Sequence, residues 1–147
     1  MNTTISGVPI KLEFPKDVKI VQIKIGDNHN LMMTDDGILY ANGDNSMGQV
    51  DGELDNILYY HCTPKKITLP DSSPIQKLFA KNNRCAVILK NGKSYYWGGL
   101  AYDPKCRLNM LPRYMGINNF NEENGIPQNC KISDVGLGYL NDIILTS

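Results

Sequence analysis

An all-β fold built from stacked antiparallel sheets is predicted by three features of this 147-residue sequence. The chain repeats itself at a spacing of 55 residues, its apolar stretches are short and strand-like, and they are joined through Asp-Gly and Asn-Gly pairs. Pro9-Ile-Lys-Leu-Glu-Phe-Pro15 returns as Pro64-Lys-Lys-Ile-Thr-Leu-Pro70, and Ile20, Ile23, Gly37 and Gly43 return as Ile75, Leu78, Gly92 and Gly98. Ile132, Val135, Leu137, Gly138 and Thr146 then follow Ile20, Ile23, Ile25, Gly26 and Thr34 at a spacing of 112. A period near 50 residues belongs to supersecondary units that bury their apolar faces only against one another, as propeller blades do. The expectation is a partial β-propeller of about two and a half repeats, with antiparallel four-stranded blades, in a single domain over residues 1–147. The repeats are placed at residues 9–63, 64–111 and 112–147, the last incomplete. Propellers usually carry about four to eight blades, so these repeats are fewer than a closed ring holds.

The elements follow in chain order. Val18 to Ile25 alternates as Val-Lys-Ile-Val-Gln-Ile-Lys-Ile, which puts Ile23 and Ile25 on one face of a strand. Leu31 to Thr34 and Ile38 to Tyr40 are short apolar runs joined through Asp35-Asp36-Gly37, where Asp-Gly is expected to supply the positive φ angles of a tight hairpin. Ala86 to Leu89 and Ser94 to Trp97 repeat that device around Lys90-Asn91-Gly92. Ile143 to Leu145 is the matching strand of the third copy, and it is expected to present an open sheet edge unless something covers it. Asp44 to Cys62 and Gly99 to Leu111 have turn residues and no clear period, and read as loops with short helical turns. Asn118 to Gln128 reads as a surface insertion.

Fifteen basic and fifteen acidic residues cancel, which removes the electrostatic case for wrapping nucleic acid or lying on an anionic membrane. The charges are unevenly spread. Asp27, Asp35, Asp36, Asp44, Asp51, Glu53 and Asp55 make the first repeat acidic, whereas Lys65 to Arg113 is rich in lysine and arginine. Such a dipole can steer a partner or favour head-to-tail association, and uneven solvated loops produce the same pattern without either. No window has the charged start and apolar core of an export signal, and no stretch reaches about eighteen apolar residues. The chain is therefore expected to be soluble and intracellular, in cytoplasm or nucleus. Cys62, Cys85, Cys106 and Cys130 form no C-x-x-C pair and are expected to be free thiols.

The first repeat reads Gly26-Asp-Asn-His29-Asn-Leu31-Met-Met-Thr34-Asp-Asp36-Gly37-Ile-Leu-Tyr40-Ala-Asn42-Gly43-Asp44-Asn45-Ser-Met-Gly48-Gln49. It resembles the regulator of chromosome condensation family, whose repeat runs as a hydrophobic strand, G-x-x-H-S, a short strand, D-G, W-G-x-N and G-Q-L-G. Asn42 stands where tryptophan is usual and Asn30 where serine is. The second copy keeps Asn91-Gly92 and Trp97-Gly98 but has Lys81 and Arg84 for the glycine and histidine. The third keeps Gly138 and has Asn141 at the histidine position. Kelch repeats place their double glycine before the tyrosine and tryptophan, while Gly98-Gly99 follows Trp97 here, and WD repeats are shorter. The resemblance implies a β-propeller, typically seven-bladed, and a founding activity of nucleotide exchange on the nuclear GTPase Ran with chromatin docking through histones. Exchange in that family relies on an inserted β-wedge and loops of an intact ring, to which no residue of this chain is matched. What the resemblance implies for Gly26, His29, Gly37, Gly43, Gly48, Gln49, Gly92, Trp97, Gly98 and Gly138 is a structural repeat signature, with no catalytic role.

The remaining candidates are weighed against plainer readings. His61-Cys62 is the lone neighbouring His/Cys pair, and a zinc site needs about four convergent ligands, so chance explains it. Asp44-Asn45-Ser-Met-Gly48 lacks the spacing of a calcium loop and reads as a turn. Gly136-Leu-Gly138-Tyr-Leu-Asn141 lacks the last glycine of a dinucleotide fingerprint. No cofactor and no metal are expected. Tyr59-Tyr60, Tyr95-Tyr96-Trp97 and Tyr102 gather aromatic surface able to anchor a partner, although alternate strand residues must point inward and Trp97 reads as a packing residue. The sequence thus predicts a non-catalytic protein-protein interaction module whose partner is another protein, with a small GTPase or a second copy through open blade edges as candidates. The alternatives are a guanine-nucleotide exchange factor for a Ran-like GTPase, or a truncated repeat protein without activity.

Overall fold

The structure, a computed structural model, describes residues 8–14, 17–51, 59–99, 113–114, 130–138 and 142–147. Ten strands run in chain order as β1 (Ile20–Ile25), β2 (His29–Thr34), β3 (Leu39–Asp44), β4 (Tyr60–Ile67), β5 (Ile75–Lys81), β6 (Arg84–Leu89), β7 (Ser94–Gly98), β8 (Arg113–Tyr114), β9 (Ile132–Leu137) and β10 (Asp142–Thr146). They form two four-stranded antiparallel meanders, β1-β2-β3-β4 and β5-β6-β7-β8, and a two-stranded sheet of β9 and β10. The expected Asn118–Gln128 insertion, the Gly99–Leu111 loop beyond Gly99, Tyr102 and Cys106 lie outside the described residues.

The sequence period is visible in the backbone hydrogen bonds. Asp35 N–H donates to Lys19 C=O at 3.0 Å, and Lys90 N–H donates to Pro74 C=O at 2.9 Å. In the third sheet Ser147 N–H donates to Lys131 C=O at 2.9 Å, the same bond once more. Asp44 to Asn28 at 2.8 Å and Gly99 to Asn83 at 3.1 Å repeat likewise at the other end of the strands. The meander is therefore dictated locally, by turns that recur in sequence.

Those turns differ from the expected hairpin in one respect. Only Gly37 and Gly92 take positive φ, at 82° and 85°; Asp36 and Asn91 do not. Gly37 N–H donates to Thr34 C=O at 3.0 Å and Gly92 N–H to Leu89 C=O at 2.9 Å, so each loop is a β-turn followed by one left-handed glycine. Asp36 is free of the left-handed region because its carboxylate accepts from the Thr34 hydroxyl, while Asn91 Oδ1 accepts from Lys93 N–H at 3.0 Å.

β4 is the strand that the periodicity hides. Its first residues lie in the expected loop to Cys62, and the repeat boundary at Pro64 falls inside it. Pro64 removes a donor, and the register between β3 and β4 shifts between Ala41 and Gly43, opposite the proline. As the outermost strand β4 is mostly solvated, so its alternation is weak.

Two apolar clusters hold the three sheets face to face. Leu31, Leu39, Ala41, Val50 and Ile67 of the first sheet and its loop pack on Leu78, Cys85, Val87, Leu89, Tyr95 and Trp97 of the second. Ala86 and Ile88, flanked by Phe79 and Tyr96, pack from the opposite face of the second sheet onto Ile132, Val135 and Leu137. The middle sheet is therefore apolar on both faces, and β6 is buried along its whole length. Fully burying a side chain such as Leu78 or Val87 is worth about 1.5–3 kcal/mol, which makes these junctions the main source of stability.

Candidate functional site

The signature residues gather at the first junction, at the end of the strands away from the hairpins. His29 opens β2 and is 1% exposed, and its Nε2 lies 3.1 Å from Cys85 Sγ of the facing sheet. The Cys85 thiol is in turn 3.5 Å from Gln49 C=O, to which Trp97 Nε1–H donates at 3.0 Å. A consistent assignment has His29 Nε2–H donating to the sulfur and the thiol proton directed at Gln49 C=O. Gln49 Oε1 accepts from Met47 N–H at 2.8 Å, which fixes the turn that presents this carbonyl. Residues of the first repeat thus bond residues of the second.

Three signature glycines make room for this contact. A Cβ on Gly26 would overlap the His29 imidazole, and one on Gly43 or Gly98 would strike the carbonyl oxygen of Asn28 or Asn83. Gly43 and Gly98 also take φ of 112° and 86°, where a side chain is strained even without the clash. Gly48 closes the turn through its N–H to Asn45 C=O at 3.0 Å. Gly37 and Gly92 sit apart, in the hairpins at the far end. Gly138 belongs to the second junction, where its carbonyl accepts from the Arg84 guanidinium.

Burial of the His29–Cys85 pair works against a nucleophilic role. Burial pushes the Cys85 thiol far above its ordinary range. Burial also lowers His29, against the opposing pull of the Asp44 and Asp27 carboxylates. Both groups are neutral and closed to solvent, the reverse of the exposed thiolate a catalytic cysteine needs. Among the described residues no group of three or more His, Cys, Asp or Glu is placed to hold a metal ion. No helix among them is long and apolar enough to cross a membrane.

One cluster has no signal in the sequence. Asp51, with a side chain 4% exposed, accepts from Lys65 Nζ at 2.6 Å and from Asn45 Nδ2 at 2.7 Å, and lies 3.1 Å from His61 Nε2. Asn45 Oδ1 accepts from Val50 N–H at 2.9 Å, so the network ties the Asn45–Asp51 turn to β4. His61 is therefore paired with a carboxylate across the loop, while its neighbour Cys62 is exposed. Beside it, at the start of β4, Tyr59 and Tyr60 are 65% and 56% exposed.

Comparison with known proteins places the chain among repeat proteins of one kind. Residues 20–49 match the family model for the Regulator of chromosome condensation (RCC1) repeat. X-linked retinitis pigmentosa GTPase regulator of Mus musculus is 33% identical over 90 residues, covering 60% of this chain and 8% of that protein. Guanine nucleotide exchange factor SRM1 of Saccharomyces cerevisiae is 28% identical over 99 residues, 61% of this chain and 20% of that one. The crystal structure of Prp20p from Saccharomyces cerevisiae superposes with a TM-score of 0.61 at 23% identity, over 86% of this chain and 31% of that chain. The three sheets are blades of a partial β-propeller. Residues 20–49 carry a regulator of chromosome condensation repeat, and the chain spans a fifth or less of the length of these curated relatives.

Proposed function

We propose that this chain is a non-catalytic protein-protein interaction module, in which the signature residues hold blades together and the exposed aromatic surface meets a partner. The observation that carries this reading is the Tyr59–Tyr60 pair, large and uncovered, on a strand end braced by Asp51, Lys65 and His61. Exposed tyrosines on a rigid support make good anchors because they bury much area while losing few rotamers. The buried His29–Cys85 pair, closed to solvent, supports a structural role for the repeat histidine.

The partner class is another protein, with a small GTPase as the first to test. Prp20p is described by its binding to Gsp1p and histones, and SRM1 by its name as a guanine nucleotide exchange factor. These ligands define the assay. The chain is immobilised and titrated with Gsp1p and with histones, and release of fluorescent GDP from Gsp1p is followed in parallel. Binding that weakens at least tenfold in Tyr59→Ala/Tyr60→Ala, with GDP release unchanged, is expected. Accelerated release would replace this reading with the exchange factor, and binding indifferent to the tyrosines would remove the proposed surface.

A further inference from the structure

Strands β1, β5 and β9, one from each sheet, neighbour one another in that order, and a cleft of about 190 Å³ opens along them at the junctions inside the chain. Its floor is Leu78, Phe79, Ala80 and Leu137, and its rim carries the ammonium groups of Lys24 and Lys81. Among the described residues both lysines are exposed and neither has a carboxylate partner, whereas Lys11, Lys19, Lys65, Lys77 and Lys93 are each ion-paired. Asp27, in the loop after β1, is taken up by Asn82, whose Nδ2 donates to its carboxylate at 3.3 Å. Both lysines also break the repeat. Lys24 pairs with Leu31, and the same pair 55 residues on is Phe79 with Ala86. Phe79 packs on the apolar cluster of the second junction, while at the first junction its place holds an exposed lysine that leaves the apolar floor open. Lys81 stands where the first blade has Gly26. A Cβ on Gly26 would overlap the His29 imidazole, but the second blade has Arg84 at the histidine position, and its guanidinium turns to Gly138 C=O. The two departures go together, and the side chain they admit is a cation at the cleft.

We propose that this cleft receives one apolar side chain from an acidic segment of a partner protein, with Lys24 and Lys81 pairing the carboxylates on either side of it. Size decides against a small molecule: sites for cofactors and drug-sized ligands run to about 300–1,000 Å³, and about 190 Å³ has room for a single large apolar side chain. Charge decides the flanks. Two ammonium groups without carboxylates repel a basic segment and form charge-assisted hydrogen bonds with an acidic one. They sit in solvent at the mouth, so they govern encounter and the choice of partner, and burial of the apolar side chain against Leu78 and Phe79 supplies the grip. Lys24 lies on the first strand of its sheet and Tyr60 on the strand at the opposite edge. The cleft is thus a second contact surface of the proposed interaction module and does not rest on the tyrosines.

The test is fluorescence anisotropy of a short fluorescein-labelled peptide, with a central leucine flanked by glutamates, titrated with the full chain. Saturable binding is expected. Peptides with glutamines for the glutamates, or asparagine for the leucine, should each bind about tenfold more weakly or worse, which separates the two parts of the site without altering the protein. Lys24→Glu/Lys81→Glu should weaken the parent peptide at least as much. Both side chains are exposed, so the fold should survive, and circular dichroism checks it; Lys24→Gln/Lys81→Gln takes its place if the sheets are disturbed. Tyr59→Ala/Tyr60→Ala should leave peptide binding unchanged, so a failure of the tyrosine surface and a failure of the cleft are read separately. No saturable binding, binding indifferent to the lysines, or binding indifferent to the leucine would overturn the inference. Equal competition by a single-stranded oligonucleotide would also overturn it, by showing a general anion site with no apolar selection.

Discussion

The first and second blades share a backbone and differ in the face each turns toward its predecessor. In the second blade that face is Leu78, Val87, Tyr95 and Trp97, closed by the indole bond to Gln49 C=O. In the first it is Ile23, Met32, Tyr40 and Asn42, partly covered by Phe14, whose ring meets Tyr40 edge-on at 5.4 Å. Phe14 is the repeat equivalent of Leu69, which packs against the first junction from the linker between blades. The difference teaches that the repeat signature is read across a junction. Tryptophan is useful where a preceding Gln49 carbonyl awaits it, whereas the buried Asn42 is satisfied within its own sheet by Asn30.

Removing the indole should break the comparison most strongly. Trp97→Ala empties a fully buried site and leaves Gln49 C=O without its donor, a loss of about 3–5 kcal/mol. Asn42→Ala at the equivalent position removes only the bond to Asn30 and should cost about 1 kcal/mol. Urea denaturation midpoints of the two variants separate them. Equal losses would mean that the first blade depends on this position as much as the second does.

Smaller effects sharpen the contrast between the two ends of each blade. Gly43→Ala and Gly98→Ala put a Cβ into the Asn28 or Asn83 carbonyl and also force positive φ, so each should cost about 1–3 kcal/mol. At the hairpin end a Cβ on Gly37 meets nothing within 4 Å, and one on Gly92 touches only the Lys131 chain at 3.6 Å or more. Gly37→Val and Gly92→Val should therefore show the backbone strain alone, about 1–2 kcal/mol. Thermal midpoints ranked the other way would place the close packing at the hairpins.

Much of this was legible because turns and faces are local. Asn-Gly and Asp-Gly marked the hairpins, the 55-residue offset paired Leu78 with Ile23, and β2, β3, β6 and β7 fell close to the apolar runs. β4 was not legible, since an outer strand with a proline at a register shift has no alternation to read. The Asp51–Lys65–His61 network was equally hidden: its members are separated along the chain and meet only because β4 returns beside the Asn45 turn. The His29–Cys85 contact joins residues of different repeats, and a motif read one copy at a time has no place for it.

That contact gives the two junctions different responses to acid. The first blade buries a histidine at the position where the second buries Arg84, whose guanidinium reaches Gly138 C=O. Burial lowers the His29 pKa below its ordinary value near 6.5, so the unfolded chain takes up a proton there before the folded one does. By linkage the folded state has its full advantage above about pH 6.5 and loses it as pH falls toward the lowered folded value. Urea midpoints should therefore decline between about pH 7.5 and 5.5 in the wild type. In His29→Gln, which cannot titrate, the part of the slope owed to this residue should vanish while the midpoint at the higher pH drops. A slope unchanged by the substitution would mean that His29 is as readily protonated in the folded chain as in the unfolded one, and that the first junction is wetter than its packing against Cys85 implies.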